Sequence, residues 1–168
     1  MDAGLLVARV VVGLLMAAHG SQKLFGWFGG YGLTGTAGFF EALGFRPGRF
    51  FATAAAVSEI GSGVLLAAGL FEPFAAAVMV SVMIVAAVSV HWQHGLFATA
   101  NGIELPLIYG VTAASLALTG PGAYSLDAVL GLASLWTPGV VLAALALGVL
   151  AGIGNLSVRK AAPVQAAV

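Results

Sequence analysis

Cysteine is absent from this 168-residue chain, and charge is scarce: six Lys+Arg and six Asp+Glu make up 7% of residues, against 61% hydrophobic. Without a thiol the chain can form no disulfide, offer no thiolate nucleophile, and build no cysteine-ligated iron–sulfur or zinc site. A formal net charge of zero gives no basic field for nucleic acid and no acidic tail. A soluble domain carries roughly 25% charged residues, and a chain with so few polar groups could not coat its surface against water. The mean hydropathy of +1.08 fits a chain solvated by lipid. Met1-Asp2 carries no basic n-region, and Arg9 falls inside the first apolar run, so no cleavable signal peptide is expected.

What the chain does have is long apolar runs. About 20 such residues cross a bilayer as a helix, and five segments approach or exceed that length, at about 3–25, 50–70, 73–90, 102–118 and 126–153. The expected fold class is all-α, a polytopic transmembrane helix bundle forming one domain over 1–155, with a polar, disordered tail over 156–168. Arg46-Pro47-Gly48 precedes the second segment and Glu72-Pro73 opens the third, proline being suited to a first helical turn. Pro138 predicts a kink or break near Thr137 in the fifth, which then reads either as one kinked span or as a short interfacial helix followed by a shorter span. Gly148 and Gly152 stand at GxxxG spacing, which permits close helix contact. The longest link, 26–49, is rich in glycine and aromatics; Trp27, Phe28 and Tyr31 suit a membrane–water interface. Residues 36–45 read as an amphipathic stretch lying on the membrane.

Orientation follows from lysine and arginine. The first link holds Lys23, Arg46 and Arg49, the tail holds Arg159 and Lys160, and the other links hold none. Five spans put both basic clusters on one side, predicted to be cytoplasmic, with the N-terminus outside. Four spans would separate them.

Few residues carry chemistry. Gly30-Tyr31-Gly32-Leu33-Thr34-Gly35 matches GxGxxG, but it follows a membrane span rather than a strand, so it reads as an interfacial loop. An ionised group within the bilayer costs several kcal/mol, roughly 2.5–3.5 at helix centre, unless it faces protein or water. Arg9 lies about two turns into the first helix and Glu59 near the middle of the second. Either Glu59 is protonated or a cation such as Arg9 neutralises it. Glu59 then either lines a cavity or locks two helices together. His19 and Lys23, one turn apart, can share a polar rim for an anionic or redox-active ligand, or simply complement a helix C-terminus. His91 and His94 at i, i+3 are weak metal candidates needing help from Glu104 or His19. Asn101-Gly102-Ile103-Glu104 has capping-box spacing, and Ser125-Leu126-Asp127 reads as a cap with an acid in the first turn.

The arginine of the first helix, His19-Gly20-Ser21-Gln22-Lys23-Leu24-Phe25-Gly26, Glu59 with Gly61 and Gly63, Asn101-Gly102-Ile103-Glu104 and Gly120-Pro121-Gly122-Ala123-Tyr124-Ser125-Leu126-Asp127 together resemble the DoxX family of small bacterial membrane proteins, over about residues 5–130. The resemblance implies a four-helix membrane bundle; the apolar stretch after Asp127 adds a fifth, Pro-kinked helix. It also implies kinship with small subunits of thiosulfate:quinone oxidoreductase and with redox-stress assemblies of the plasma membrane. On that basis Arg9, His19, Lys23, Glu59 and Glu104 are the expected lining of a pocket for quinone or another small ligand. An oxidoreductase, lipid or a second copy of the chain is the expected partner. Whether the chain is itself an enzyme stays open. A small-solute transporter using Arg9 and Glu59 as a path, and a non-catalytic scaffold or assembly factor, are the rival readings.

Overall fold

The computed structural model of the chain describes residues 1–160. Helix α1 (Asp2–Phe25) has an acid in its first turn, Lys23 in its last, and ends on left-handed Gly26, each favourable to the helix dipole or the C-cap. After an aromatic turn come α2 (Gly32–Ala42) and α3 (Gly48–Ala68), the latter closed by Gly69 at φ 64°. Helix α4 (Glu72–Ala86) has proline in its first turn and continues through a π turn, Ala87–His91, and a 3-10 turn, Trp92–His94. Helices α5 (Glu104–Thr119), α6 (Leu126–Val129) and α7 (Pro138–Ser157) follow. Among the described residues there is no strand, as expected for an all-α bundle. Among the described residues four helices are long and apolar enough to cross a membrane: α1, α3, α4 with its extension to His94, and α7. The chain is therefore a multi-pass membrane protein. Helix α5 is apolar but, at 16 residues, shorter.

The last segment departs from one continuous kinked helix over 126–153. Pro138 has no N–H to donate and holds Thr137 extended, at φ −65° and ψ 156°, the conformation a proline imposes on the residue before it. The chain therefore breaks into α6, a 3-10 turn (Leu132–Leu135) and α7, which Thr137 caps by accepting from the Val140 N–H at 3.4 Å. Helix α7 also runs past 153, so residues 156 and 157 belong to it rather than to a tail. Arg159 and Lys160 dock onto the first link, Arg159 Nε donating to the Leu43 carbonyl at 3.0 Å and the Lys160 N–H to that of Gly44 at 2.9 Å. The rest of the expected tail, 161–168, lies outside the described residues.

The packing is that of a protein in lipid. The outward faces carry large apolar side chains, such as Val11, Leu14, Leu142 and Leu150, while the interior is rich in alanine: Ala52, Ala56, Ala75, Ala76, Ala113, Ala117 and Ala144 are all buried. Small residues let helices approach closely where lipid tails supply no hydrophobic drive for association. Helices α1 and α3 lie together along their length. A Cβ on Gly13 would stand 2.4 Å from the Gly63 carbonyl oxygen, one on Gly63 2.5 Å from that of Gly13, and one on Gly20 2.6 Å from that of Ala56. On α7 the GxxxG pair does similar work: Gly148 abuts the Ala77 backbone and Gly152 packs on Ile84 of α4.

Gly63→Ala should therefore destabilise the bundle by about 1–3 kcal/mol, the usual cost of overpacking, visible as a lower Tm in detergent. Gly61→Ala, whose Cβ would meet nothing within 4 Å, should leave the Tm unchanged or slightly raised.

Candidate functional site

The polar residues gather at two places near opposite ends of the bundle. The first surrounds Arg9, 1% exposed on α1. Its guanidinium donates to two carbonyls of the loop after α5, those of Pro121 and, at 2.8 Å, Tyr124. Gly69 has to be glycine: its φ is positive, and a Cβ would sit 2.6 Å from Arg9 Nη1. Asp127, fully buried, ties the same loop to the start of α4. Its carboxylate accepts from the backbone N–H groups of Phe71 at 2.9 Å and Glu72 at 3.1 Å, and from the Trp136 indole at 2.9 Å. Its own N–H donates to Gly69 O at 2.9 Å. Ser125 caps α6 as its sequence context foretold, accepting from Ala128 N at 3.1 Å. Asp127 does more than complement that short helix, because it also caps α4 from 55 residues away in sequence. Glu72, 0% exposed, lies beside this network with both carboxylate oxygens unpartnered, as is Arg9 Nε.

The second place is the ion pair of Lys23 and Glu59, formed where α1 and α3 run together, with Lys23 Nζ donating to both carboxylate oxygens. The expectation that Arg9 neutralises Glu59 gives way to this pairing. Arg9 and Lys23 are 14 residues apart on one helix, about 21 Å along its axis, so only Lys23 reaches. The pair is asymmetric in its access: the Glu59 side chain is 3% exposed and that of Lys23 31%. Lys23 is held from behind by Thr36, whose hydroxyl donates to its carbonyl at 3.2 Å.

This ion pair lines a groove of about 510 Å³. Helix α4 forms its floor from Phe74 to His91; Ala55 and Ser58 of α3 form one wall, Ala144 and Ala151 of α7 the other, and Phe39 and Phe40 of α2 close over one end. Eighteen residues of helix make a floor on the order of 25 Å long. The surface is mostly apolar, and its polar lining residues are Lys23, Ser58, Glu59, Ser81, Ser89, His91 and Asn155. Ser89, Val90 and His91, in the π turn, line it as well. The π turn there rewinds the backbone, and such turns recur at functional sites.

Of the five expected lining residues, the groove takes Lys23 and Glu59 only. His19 turns toward α5, edge-on to Tyr109 at 5.8 Å between ring centres, with Nδ1 3.2 Å from Gln22 Oε1. Glu104 does not serve a capping box: Ile103 is the N-cap of α5, Asn101 is left-handed at φ 62°, and Glu104 Oε2 instead accepts from Ala98 N at 2.7 Å. His91 and His94 bond backbone carbonyls through Nδ1, of Asn101 at 2.7 Å and Val90 at 3.0 Å. No group of three His, Cys, Asp or Glu able to hold a metal occurs among the described residues. Sequence reading took Glu72 only as part of a helix start. The Glu-Pro step hid a second signal, an acid at the edge of an apolar run, which deserved the same question as Arg9.

The profile of the family described as DoxX matches residues 4–92, the stretch that holds α1 to α4 with Arg9, Lys23, Glu59 and Glu72. Comparison with curated proteins and with solved structures gave no match.

Asp127→Ala would strand three N–H donors at once. It should cost roughly 2 kcal/mol or more, a lost helix cap together with bonds to a charged acceptor, read as a fall in Tm in detergent. Trp136→Phe, which keeps both backbone bonds, should lose distinctly less.

Proposed function

We propose that this chain, which belongs to the DoxX family as the match over residues 4–92 establishes, is a membrane subunit that holds a lipid-soluble quinone for an oxidoreductase partner. One observation carries the reading: a long, mostly apolar groove among membrane helices is lined by the ion pair Lys23–Glu59. An isoprenoid tail is long, flexible and apolar, and suits a groove floored by four to five turns of α4. A quinone head presents carbonyl acceptors, and Lys23 can donate to one. An ammonium has three N–H donors, and Glu59 engages two of them.

Reduction of a quinone requires two protons with its two electrons. A quinone carbonyl bonded to Lys23 can take one proton from its ammonium; Lys23, 31% exposed, is then recharged from water and supplies the second. The electrons belong to the partner, since the chain has no cysteine to ligate a cluster. The rival transport reading relied on Arg9 and Glu59 sharing one path. Their separation by most of α1 removes that premise, and the backbone carbonyls that hold Arg9 give it a structural role.

The same reading places the protein in the plasma membrane with five crossings, counting α5. Both basic clusters then face the cytoplasm, in accord with the positive-inside tendency and with the docking of Arg159 and Lys160 on Leu43 and Gly44. Because the native chain lacks cysteine, single cysteines report sidedness cleanly. Thr34→Cys and Ser157→Cys should label from the cytoplasmic side and Tyr124→Cys from the other; labelling of Thr34→Cys and Ser157→Cys from opposite sides would defeat the five-crossing arrangement.

For the quinone site, a short-chain quinone should raise the Tm of the purified chain in detergent. Glu59→Gln and Lys23→Gln should each weaken its Kd about tenfold, the worth of a hydrogen bond to a charged group. His19→Ala and Glu104→Gln, outside the groove, should leave it unchanged. A native chain that binds no quinone, or a Glu59→Gln variant that binds as well as the parent, would overturn the reading.

A further inference from the structure

At Phe39, Leu43, Ser89 and Val90 the groove opens into a second hollow of about 620 Å³, and the lining changes from apolar to cationic. His94, Arg159 and Lys160 stand around it, and none of its lining residues is an acid. Main-chain ties hold the Arg159 side chain and the Lys160 backbone there. Arg159 spends Nε on the Leu43 carbonyl and lies with its guanidinium carbon 5.6 Å from the centre of the Phe45 ring. The Lys160 N–H bonds Gly44 O, and Gly44, at φ 93°, admits the approach because a Cβ would stand 2.1 Å from the Lys160 carbonyl oxygen. Among the described residues the sole ion pair is Lys23–Glu59, so neither Arg159 nor Lys160 is neutralised by a carboxylate within that set.

The hollow also lies at the level of a headgroup. Exposed Trp92 and Phe97 flank the end of α4, and Trp27 and Tyr31 border the link it faces, the belt that aromatic side chains form at a membrane–water boundary. A cationic pocket at that level, opening into an apolar slot that leads into the hydrocarbon, complements a molecule with an anionic head and a long tail.

We propose that this mouth binds an anionic phospholipid, its phosphate between Arg159, Lys160 and His94 and one acyl chain entering the groove past Leu43 and Val90. Bound there, the lipid closes the groove toward the basic face. The inference goes beyond the quinone reading and does not rest on it, because the head site shares neither Lys23 nor Glu59; an acyl chain and a quinone tail would compete for the groove itself.

The test uses the full chain in neutral detergent, with bound lipid read by native mass spectrometry. The chain should retain phosphatidylglycerol and not phosphatidylcholine. Arg159→Gln with Lys160→Gln should weaken phosphatidylglycerol roughly thirtyfold, the loss of two cations near a membrane surface. Arg46→Gln with Arg49→Gln removes the same charge from the same basic side outside the hollow and should leave retention intact. Glu59→Gln should also leave it intact, which separates failure here from failure of the quinone site. Equal retention of the two lipids, equal loss in both double variants, or displacement of the lipid by millimolar inorganic phosphate alone would each overturn the proposal.

Discussion

Where Gly13 meets Gly63 and Gly20 meets Ala56, α1 and α3 approach so closely that a Cβ on either α1 glycine would collide with α3 backbone. That contact sets where the charges of the bundle can go. Hydrocarbon offers an ion nothing, so each ionisable group within the helices must find its partner inside the protein. The close approach puts Lys23 against Glu59, and it leaves Arg9 too far along the same helix to compete. A bulkier residue at either glycine would move the helices apart and separate the ion pair along with them.

The two ends of the bundle then take different characters. Around Arg9, main chain answers most of the polar groups, guanidinium to loop carbonyls, Asp127 to helix N–H groups and Gly69 O to the Asp127 N–H, while Glu72 and Arg9 Nε stay unpartnered. Such bonds fasten the loop after α5 over the start of α4. They also order the Trp136 segment from which α7 departs. At the other end, Lys23–Glu59 faces open space between α3 and α7, and one partner remains accessible. One end therefore holds the bundle closed, and the other can receive a ligand.

The family match bears on this division. It spans α1 to α4, which provide the ion pair, the floor of the groove and one wall. The second wall is α7, which lies beyond the matched stretch and packs on α4 through Gly148 and Gly152. The groove thus combines a part common to the family with a helix outside the matched region, and the cations at its mouth come from the end of that helix.

The sequence by itself determined the solvent and the class. Apolar runs near 20 residues and 7% charge require lipid, and in lipid a chain without strand pattern must satisfy its backbone as helices. The helix start at Pro73, the break near Thr137, the Ser125 cap and the GxxxG spacing of Gly148 were legible too, because they depend on a few nearby residues. Only tertiary structure decided the pairings. Glu59 had two cations within conceivable reach, and choosing Lys23 over Arg9 required the register of α1 on α3. Asp127 looked complete as a local helix acid, yet its carboxylate serves a helix 55 residues earlier. A pocket at Lys23 and Glu59 was an expectation of the sequence, but the groove's course was not legible, since a space between α3 and α7 is a property of how helices stand apart, and no single residue encodes it. Local hydrogen bonding and solvation can be read along a chain, whereas distances between helices follow only once every helix has been placed.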